Sequence, residues 1–404
     1  MVTTWTTNIS FKVSVEDASQ SWYFALSRND SIVLNAEVFG LDTTILDHGL
    51  MPGKEYSHKA YFIEREAIQD SSRNISVTTM DTSSSSYEWT ITPLDAGGLI
   101  YDIAPACGSI WVCGEIYKND STYNNAIWDG SSWEYVNVYD GDPRFIEVGF
   151  SLFRSNDNYL WFGVSKPSWY NCTDWTHSHQ QQGGWGDGWF FNSFIRSMNG
   201  FNLDDMYFSG LNGSLAHYDG NEFSYIETNS DYQFMRMRKS DELHKMFILG
   251  SDGILNTILS HDGTDLETVL YSDTVYPDTS IGNYGRLYTM DAFKDTLYVA
   301  SSVGLLKISL VDNGKQIVPW EELGLDPGII SEVIVSGPND ILLVSNNGFG
   351  IHHNGVRWDR INGIFSESEY MSLGIFKCQL YNDEIYGIAY KHRTLEPFIL
   401  HGSK

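Results

Sequence analysis

Basic side chains are scarce in this 404-residue chain: 25 Lys and Arg stand against 52 Asp and Glu, a formal charge of −27. A surface this anionic repels phosphate backbones, which excludes nucleic acid as a natural partner. It suits a chain kept soluble outside a cell, with capture of cations or basic partners as the sharper alternative. Long apolar runs are missing too. No window of about 18 apolar residues occurs, so no membrane span is expected. Met1-Val2-Thr3-Thr4-Trp5 shows no basic stretch leading into an apolar one, so an export signal is expected to be absent from this chain. Cysteine is limited to Cys107, Cys113, Cys172 and Cys378, with no CxxC spacing, and zinc-ribbon or thioredoxin-like sites fail on that count. Cys107 and Cys113 flank a turn at Gly108-Ser109 and could approach each other; the simpler expectation is four buried thiols acting as small apolar side chains.

Signature motifs for chemistry are absent as well. There is no G-x-S-x-G, H-E-x-x-H or phosphate loop. Asp140-Gly141-Asp142 is too short for an EF-hand loop, so a calcium site has no support and no cofactor is implied. His177 and His179 would share a strand face, but the sequence supplies no third metal ligand. Asn171-Cys172-Thr173 matches a glycosylation sequon, although its place in a repeat described below already accounts for it.

What the chain has in quantity is aromatic side chains, 13 Trp, 24 Tyr and 21 Phe, which fit the half-buried face of a strand. Through about residue 82 short alternating runs predict strands near 10–15, 22–27, 32–38, 57–63 and 75–79. Among them stands Leu50-Met51-Pro52-Gly53-Lys54-Glu55-Tyr56. It resembles the L-x-P-G-x-x-Y segment of fibronectin type III domains, in which a tyrosine corner ties a loop onto a β-sandwich, and Ser76-Val77-Thr78-Thr79 is similar to that family's last strand. Residues 83–86 read as a polar linker.

Beyond the linker one unit recurs. It consists of an apolar-aromatic strand, a gap, an Asp-Gly or Asn-Gly hairpin, and an aromatic or apolar residue three positions later. The strands include Ile110-Trp111-Val112-Cys113, Leu160-Trp161-Phe162-Gly163, Met206-Tyr207-Phe208, Met246-Phe247-Ile248-Leu249, Leu297-Tyr298-Val299, Ile341-Leu342-Leu343 and Ile385-Tyr386-Gly387. The hairpins run from Asp129-Gly130 with Trp133 to Asn354-Gly355 with Trp358, Asn171-Cys172 with Trp175 being the variant. Asp-Gly and Asn-Gly supply the positive φ that a two-residue hairpin needs. Counted at the glycine position, the repeats stand at 130, 172, 220, 263, 314, 355 and 402. Nothing follows Gly402 to complete the seventh, but Tyr87-Glu88-Trp89-Thr90-Ile91-Thr92, at the start of the repeats, supplies the missing strand. Trp89 would then play the part of Trp133, and the ring would close with no open edge.

The expected fold is thus all-β: a fibronectin type III-like sandwich over 1–82, a linker at 83–86, and a seven-bladed β-propeller over 87–404 closed by the strand around Trp89. Tyr101-Asp102-Ile103-Ala104, Asn125-Ala126-Ile127-Trp128-Asp129-Gly130 and Ser214-Leu215-Ala216-His217-Tyr218-Asp219-Gly220 resemble secreted bacterial propellers of the glucosyl-hydrolase-like or sensor type. The resemblance implies a fold and an extracellular or cell-surface setting, and carries over no catalytic residue. The sialidase Asp-box, WD40 and kelch signatures are not kept.

Three loops are candidates for ligand contact at the mouth of the channel. They are 115–125 with Tyr117 and Tyr123, 180–188 with Trp185 and Asp187, and 272–283 with Tyr276 and Asp278. Aromatic faces beside carboxylates suit sugars or cationic ligands, and aromatics folded back onto their own strands are the plain alternative. Inner strands are expected to bring Asp102, Glu147, Arg196, Arg236, Arg286 and Glu332 near the channel, either to bind a polar ligand or to pair with one another. The leading functional expectation is a non-catalytic binding or scaffold protein for a glycan, peptide or protein. A carbohydrate-active enzyme would instead need two converging carboxylates, and a surface or filament subunit would need self-associating edges. Ligand and oligomeric state are left open.

Overall fold

The computed structural model describes all residues except 1, 5, 15–21, 39–41, 65–66, 140–147, 157, 165, 178–193, 274–276, 280–281, 326–329, 362–372, 392–393 and 395. No α-helix occurs among the described residues. The chain divides into two compact units, one holding 1–85 with 336–341 and 352–359, the other the remainder of 86–404.

The amino-terminal residues form two sheets. One joins β1 (Val2–Thr4), β2 (Asn8–Ser14) and β5 (Asp42–His48); the other joins β3 (Trp22–Arg28), β4 (Ser31–Val38), β6 (Glu55–Glu64), β7 (Ala67–Ser71) and β8 (Ile75–Thr78). Between them Ile9, Phe11, Leu26, Ile45, Leu50 and Tyr56 make a core. Each such side chain, taken fully out of water, contributes about 1.5–3 kcal/mol. The Tyr56 hydroxyl accepts the Met51 amide at 2.9 Å, which pins the Pro52-Gly53 turn ahead of β6. Gly53 stands at φ 63°, a conformation that costs a Cβ-bearing residue more.

Among the described residues seven four-stranded sheets follow, numbered 1–7 in chain order. Their first strands are Gly97–Ala106, Ser151–Asn156, Ser197–Asn202, Gln233–Ser240, Leu287–Phe293, Ile330–Gly337 and Leu373–Tyr381. Second strands read as unbroken apolar runs because both of their faces are covered. In sheet 4, Met246 and Ile248 pack toward Tyr207 and Leu215 of sheet 3, while Phe247 and Leu249 pack toward Met290 and Val299 of sheet 5. The same logic joins sheet 1 to sheet 2, sheet 2 to sheet 3, and sheet 6 to sheet 7. Ile103 and Val112 of sheet 1 meet Ile388 and Ile399 of sheet 7, so the last sheet packs on the first. The result is a β-propeller-like all-β arrangement.

The fourth strand of sheet 7 is Glu88–Pro93, from the beginning of the repeat region, paired antiparallel to Pro397–Ser403. Trp89 stands opposite Gly402, as Trp133 stands opposite Trp128 in sheet 1. Gly402 therefore holds the place of Trp128 rather than of Gly130, a correction of two positions to the repeat count. A Cβ on Gly402 would come within 2.8 Å of the Trp89 ring, which explains the glycine.

The hairpins also differ from expectation. Trp128 and Trp133 enclose four residues rather than two, and the Asp129 carboxylate accepts the amides of Ser131 and Ser132. Asn171, Asp219, Asp262 and Asn354 accept the corresponding pairs of amides in their own turns. The side chain thus replaces missing backbone acceptors, an Asx turn, and these amides hold Asp129 down at about 2. Glycine follows at positive φ in most cases, and Cys172 takes that place at φ 68°. The expectation of four thiols fails here, since Cys172 is disulfide-bonded to Cys107, which occupies the turn between the first two strands of sheet 1. The two turns lie on the same rim of neighbouring sheets, whereas Cys113, buried on a strand, is free, as is Cys378.

Candidate functional site

The first strands of the sheets converge, and bulges decide what they present. In sheets 1, 4, 5 and 7 the register against the second strand skips one residue, which is Tyr101, Met235, Tyr288 and Phe376 respectively. A bulge turns two successive side chains to one side of a strand. The skipped residues line a cavity of about 490 Å³, and their successors Arg236 and Lys377 line it with them. Phe150, Arg196, Arg286 and Ser331 complete its wall from just before or at the start of their strands.

The aromatic rings of this mouth hold guanidinium groups. Arg196 Cζ lies 4.3 Å from the Phe150 ring centroid, and Arg286 Cζ lies 6.0 Å from that of Tyr288. Tyr101 and Phe194 pack on Phe150 at 4.8 and 4.9 Å. Arg196 Nε is buried and makes no hydrogen bond, and neither Arg196 nor Arg286 forms an ion pair among the described residues. Burial and the Glu115 carboxylate push the Tyr101 hydroxyl up, against the opposite influence of Arg196.

One layer below, charges are paired. Asp102 is 1% exposed. It accepts from Lys377 Nζ at 2.6 Å, Gln379 Nε2 at 2.5 Å and the Leu152 amide at 2.9 Å. Glu332 is wholly buried and accepts from Arg238 at 2.7 Å and the Thr289 hydroxyl at 3.0 Å, with Arg236 at 3.3 Å. Desolvation lowers Lys377, with Asp102 opposing it. Beneath the layer a second cavity of about 400 Å³ is lined by Asp102, Arg154, Asn199, Arg238, Asp291 and Tyr381 among others. There Arg238 reaches Asp291 at 3.4 Å, and the Val335 amide donates to Asp291 at 2.8 Å. Burial raises the Asp291 carboxyl to about 6 despite Arg238.

The chain is similar in fold to β-propeller-like bacterial proteins. The structure of YCF48 bound to D1 peptide matches with a TM-score of 0.55 at 11% identity, over 78% of this chain and 97% of that one. The extracellular domain of BT4673 from B. thetaiotaomicron matches with a TM-score of 0.52 at 13% identity, over 78% of this chain and 39% of that one. PorZ, a bacterial surface component of the type-IX secretion system of Porphyromonas gingivalis, matches at 0.50 and 9% identity, over 90% of this chain and 54% of its own. No protein-family model matches the chain, and no curated protein matches it in sequence.

Of the channel candidates, Arg196, Arg236 and Arg286 come together at the mouth, while Asp102 and Glu332 belong to the paired layer. The loop candidates fare differently. Residues 115–125 are not a loop, because strands Ser109–Lys118 and Ser121–Trp128 run through them to a turn at Asn119-Asp120, both at positive φ. Tyr123 lies 5.6 Å from Tyr135 and packs into the core between sheets 1 and 7, which makes it a packing residue. Tyr117 is exposed with its hydroxyl on Glu115, and Asp278 is exposed in a small bridge to Asn283. None of the three lines the mouth. Trp185, Asp187, Tyr276, Glu147 and His179 lie outside the described residues. His177 meets the Ser168 hydroxyl at 2.9 Å, and no group of three or more metal-ligating side chains occurs among the described residues.

Sequence reasoning missed Tyr101, Phe150, Tyr288, Phe376 and Lys377 at the mouth. The available signal was Tyr101-Asp102, Met235-Arg236 and Phe376-Lys377, each a large side chain followed by a charge at the same place in its repeat.

Proposed function

We propose that the chain is a non-catalytic extracellular binding protein, with a fibronectin type III-like module over 1–82, a linker at 83–86 and a seven-bladed propeller over 87–404. Its ligand enters the arginine-lined mouth. One observation carries this reading. The acids Asp102, Glu332 and Asp291 are each engaged by a cation, whereas Arg196 and Arg286 hold their charge at a cavity with no acid partner among the described residues. Unpaired charge in a concave, partly apolar wall is what a binding site keeps ready. The Met51–Tyr56 hydrogen bond supports the sandwich assignment, and Trp89 opposite Gly402 supports a closed seventh blade. The Cys107–Cys172 bridge supports an oxidising, extracellular setting. That YCF48 is seen with a peptide, and that BT4673 and PorZ carry an extracellular domain and a surface role, agrees with a binding propeller outside the cell. Among the described residues no carboxylate lines the mouth, and Asp102 and Asp291 of the other cavity are each held by a cation, which favours binding over the carbohydrate-active alternative.

The test is a glycan array and a random-peptide selection run on the intact chain and on Met235→Trp, which fills the mouth from a half-exposed position. Ligands captured by the intact chain and lost in the variant support the reading. Ligands retained by the variant move the site elsewhere, and failure of both screens leaves a scaffold.

A further inference from the structure

Resting on the reading that the mouth is a binding site, we propose that it captures a carboxylate of a peptide ligand, with Arg196 and Arg286 as the receiving groups. A sugar needs an open aromatic face on which to lie. Here the Phe150 ring lies against the Arg196 guanidinium at 4.3 Å, with Tyr101 and Phe194 packed on it as well, and Tyr288 lies against Arg286. The Phe150 and Tyr288 rings serve as supports for the cations, which leaves Phe376 as the open ring of the rim.

A guanidinium held beside a ring by cation–π attraction has no acceptor there for its fork of N–H donors, which stay available to an oxyanion. That is the fork a carboxylate meets with two parallel hydrogen bonds. Arg196 Nε adds a buried donor with no hydrogen bond of its own, which an oxyanion would satisfy. The third arginine behaves otherwise. Arg236 is 3.3 Å from buried Glu332 and donates to the Ser331 carbonyl, so it is partly committed to the layer beneath.

The rest of the rim favours a peptide body. Met235 is 50% exposed and Phe376 47%, and both are bulge residues turned to the cavity. A flexible thioether and an open ring suit varied apolar side chains better than an array of hydroxyls. The charge of the whole chain sharpens the point. A protein of net charge −27 repels acidic ligands at long range, so two arginines with no acid partner among the described residues select by contact and not by field.

The experiment measures calorimetric binding of N-acetyl-phenylalanine and of its neutral amide, N-acetyl-phenylalaninamide, to the full chain, with glucuronate as a third probe. Probes are used up to about 1 mM, the weak end of measurable small-ligand affinity. The expected result is binding of the acid at least about tenfold tighter than the amide, lost in Arg196→Gln and only partly recovered in Arg196→Lys, which keeps the charge without the fork. Thermal melts of the variants confirm that they fold. Equal binding of acid and amide overturns the carboxylate assignment while leaving the mouth as a binding site. Binding of glucuronate alone overturns the peptide assignment. Binding of no probe overturns the inference, and the library selection with Met235→Trp decides separately whether the mouth binds anything.

Discussion

The two cavities lie along the same seven first strands and share Lys377, yet they spend their charge in opposite ways. Toward the mouth Arg196 and Arg286 rest on aromatic rings without an acid partner among the described residues. Toward the other cavity Arg238 reaches both Glu332 and Asp291. That second end continues to the rim where strand 1 turns into strand 2, the rim that also carries the Cys107–Cys172 bridge. The difference separates charge that holds the sheets together from charge available to a ligand, and it is measurable as stability at one end and binding at the other.

The largest effect is expected in the layer between the cavities. Asp102→Ala leaves Lys377 buried without its partner and deprives the Gln379 side chain and the Leu152 amide of their acceptor. Breaking a buried ion pair from one side costs about 3–5 kcal/mol. Urea unfolding should show a loss of that order, and Asp102→Asn, which keeps an acceptor oxygen, should lose less. A loss under about 1 kcal/mol for the alanine variant would remove this layer from the structural side of the comparison.

The disulfide comes next. It closes a segment of 65 residues between neighbouring sheets, and removing such a link costs about 2–4 kcal/mol. Cys107→Ser or reduction should lower the melting temperature while leaving mouth binding intact. The native protein should resist thiol reagents, since Cys113 and Cys378 are buried and burial pushes both thiols well up. Two reactive thiols should appear on unfolding without reductant; four would mean that the bridge is not formed.

Asp291 gives a smaller effect with a definite sign. Burial raises its carboxyl to about 6, while an unfolded chain keeps the ordinary value of about 3.9. The folded state therefore holds this proton more tightly. Its stabilising contribution is complete below about pH 4 and is lost as pH rises through 6. Asp291→Asn should be more stable than the parent at pH 8, by up to about 3 kcal/mol, and the gap should close below about pH 4. A variant less stable than the parent at pH 8 would show that the contact to Arg238 outweighs the cost of burying the carboxylate.

How much of this was legible in the sequence depends on the range of the interaction. The hairpin aspartates and their glycines are local, and the closing strand follows from counting strands in a ring, so Trp89 could be paired with the end of the chain from sequence alone. Cys172 sat in a glycine slot of the repeat, and that regularity concealed a bond to a turn 65 residues away. Arg196, Arg236 and Arg286 were legible as residues near the inner strands because each stands ten or eleven residues before the apolar run of its second strand, Met206, Met246 and Leu297, although only Arg236 lies within a first strand. Their division into ligand-facing and paired groups was not, because it depends on bulges that rephase sheets 1, 4, 5 and 7 by a single residue. Tyr117 and Tyr123 were read as loop residues because their stretch is polar, whereas the ladder simply continues through it.

The smallest expected change in stability belongs to Arg196→Gln, and it is the sharpest test of the comparison. The substitution gives up the contact with Phe150, worth about 0.5–2 kcal/mol for a cation over a ring. It also removes a buried Nε that has no hydrogen bond, and leaving such a donor unsatisfied costs about 1–3 kcal/mol. The two terms oppose each other, so unfolding free energy should move by less than about 1 kcal/mol in either direction. Asp102→Ala, one layer deeper, should fall several times further. If Arg196→Gln instead unfolds the chain as readily as Asp102→Ala does, the guanidinium is holding the first strands together, and the mouth is a second structural layer with no charge to offer a ligand.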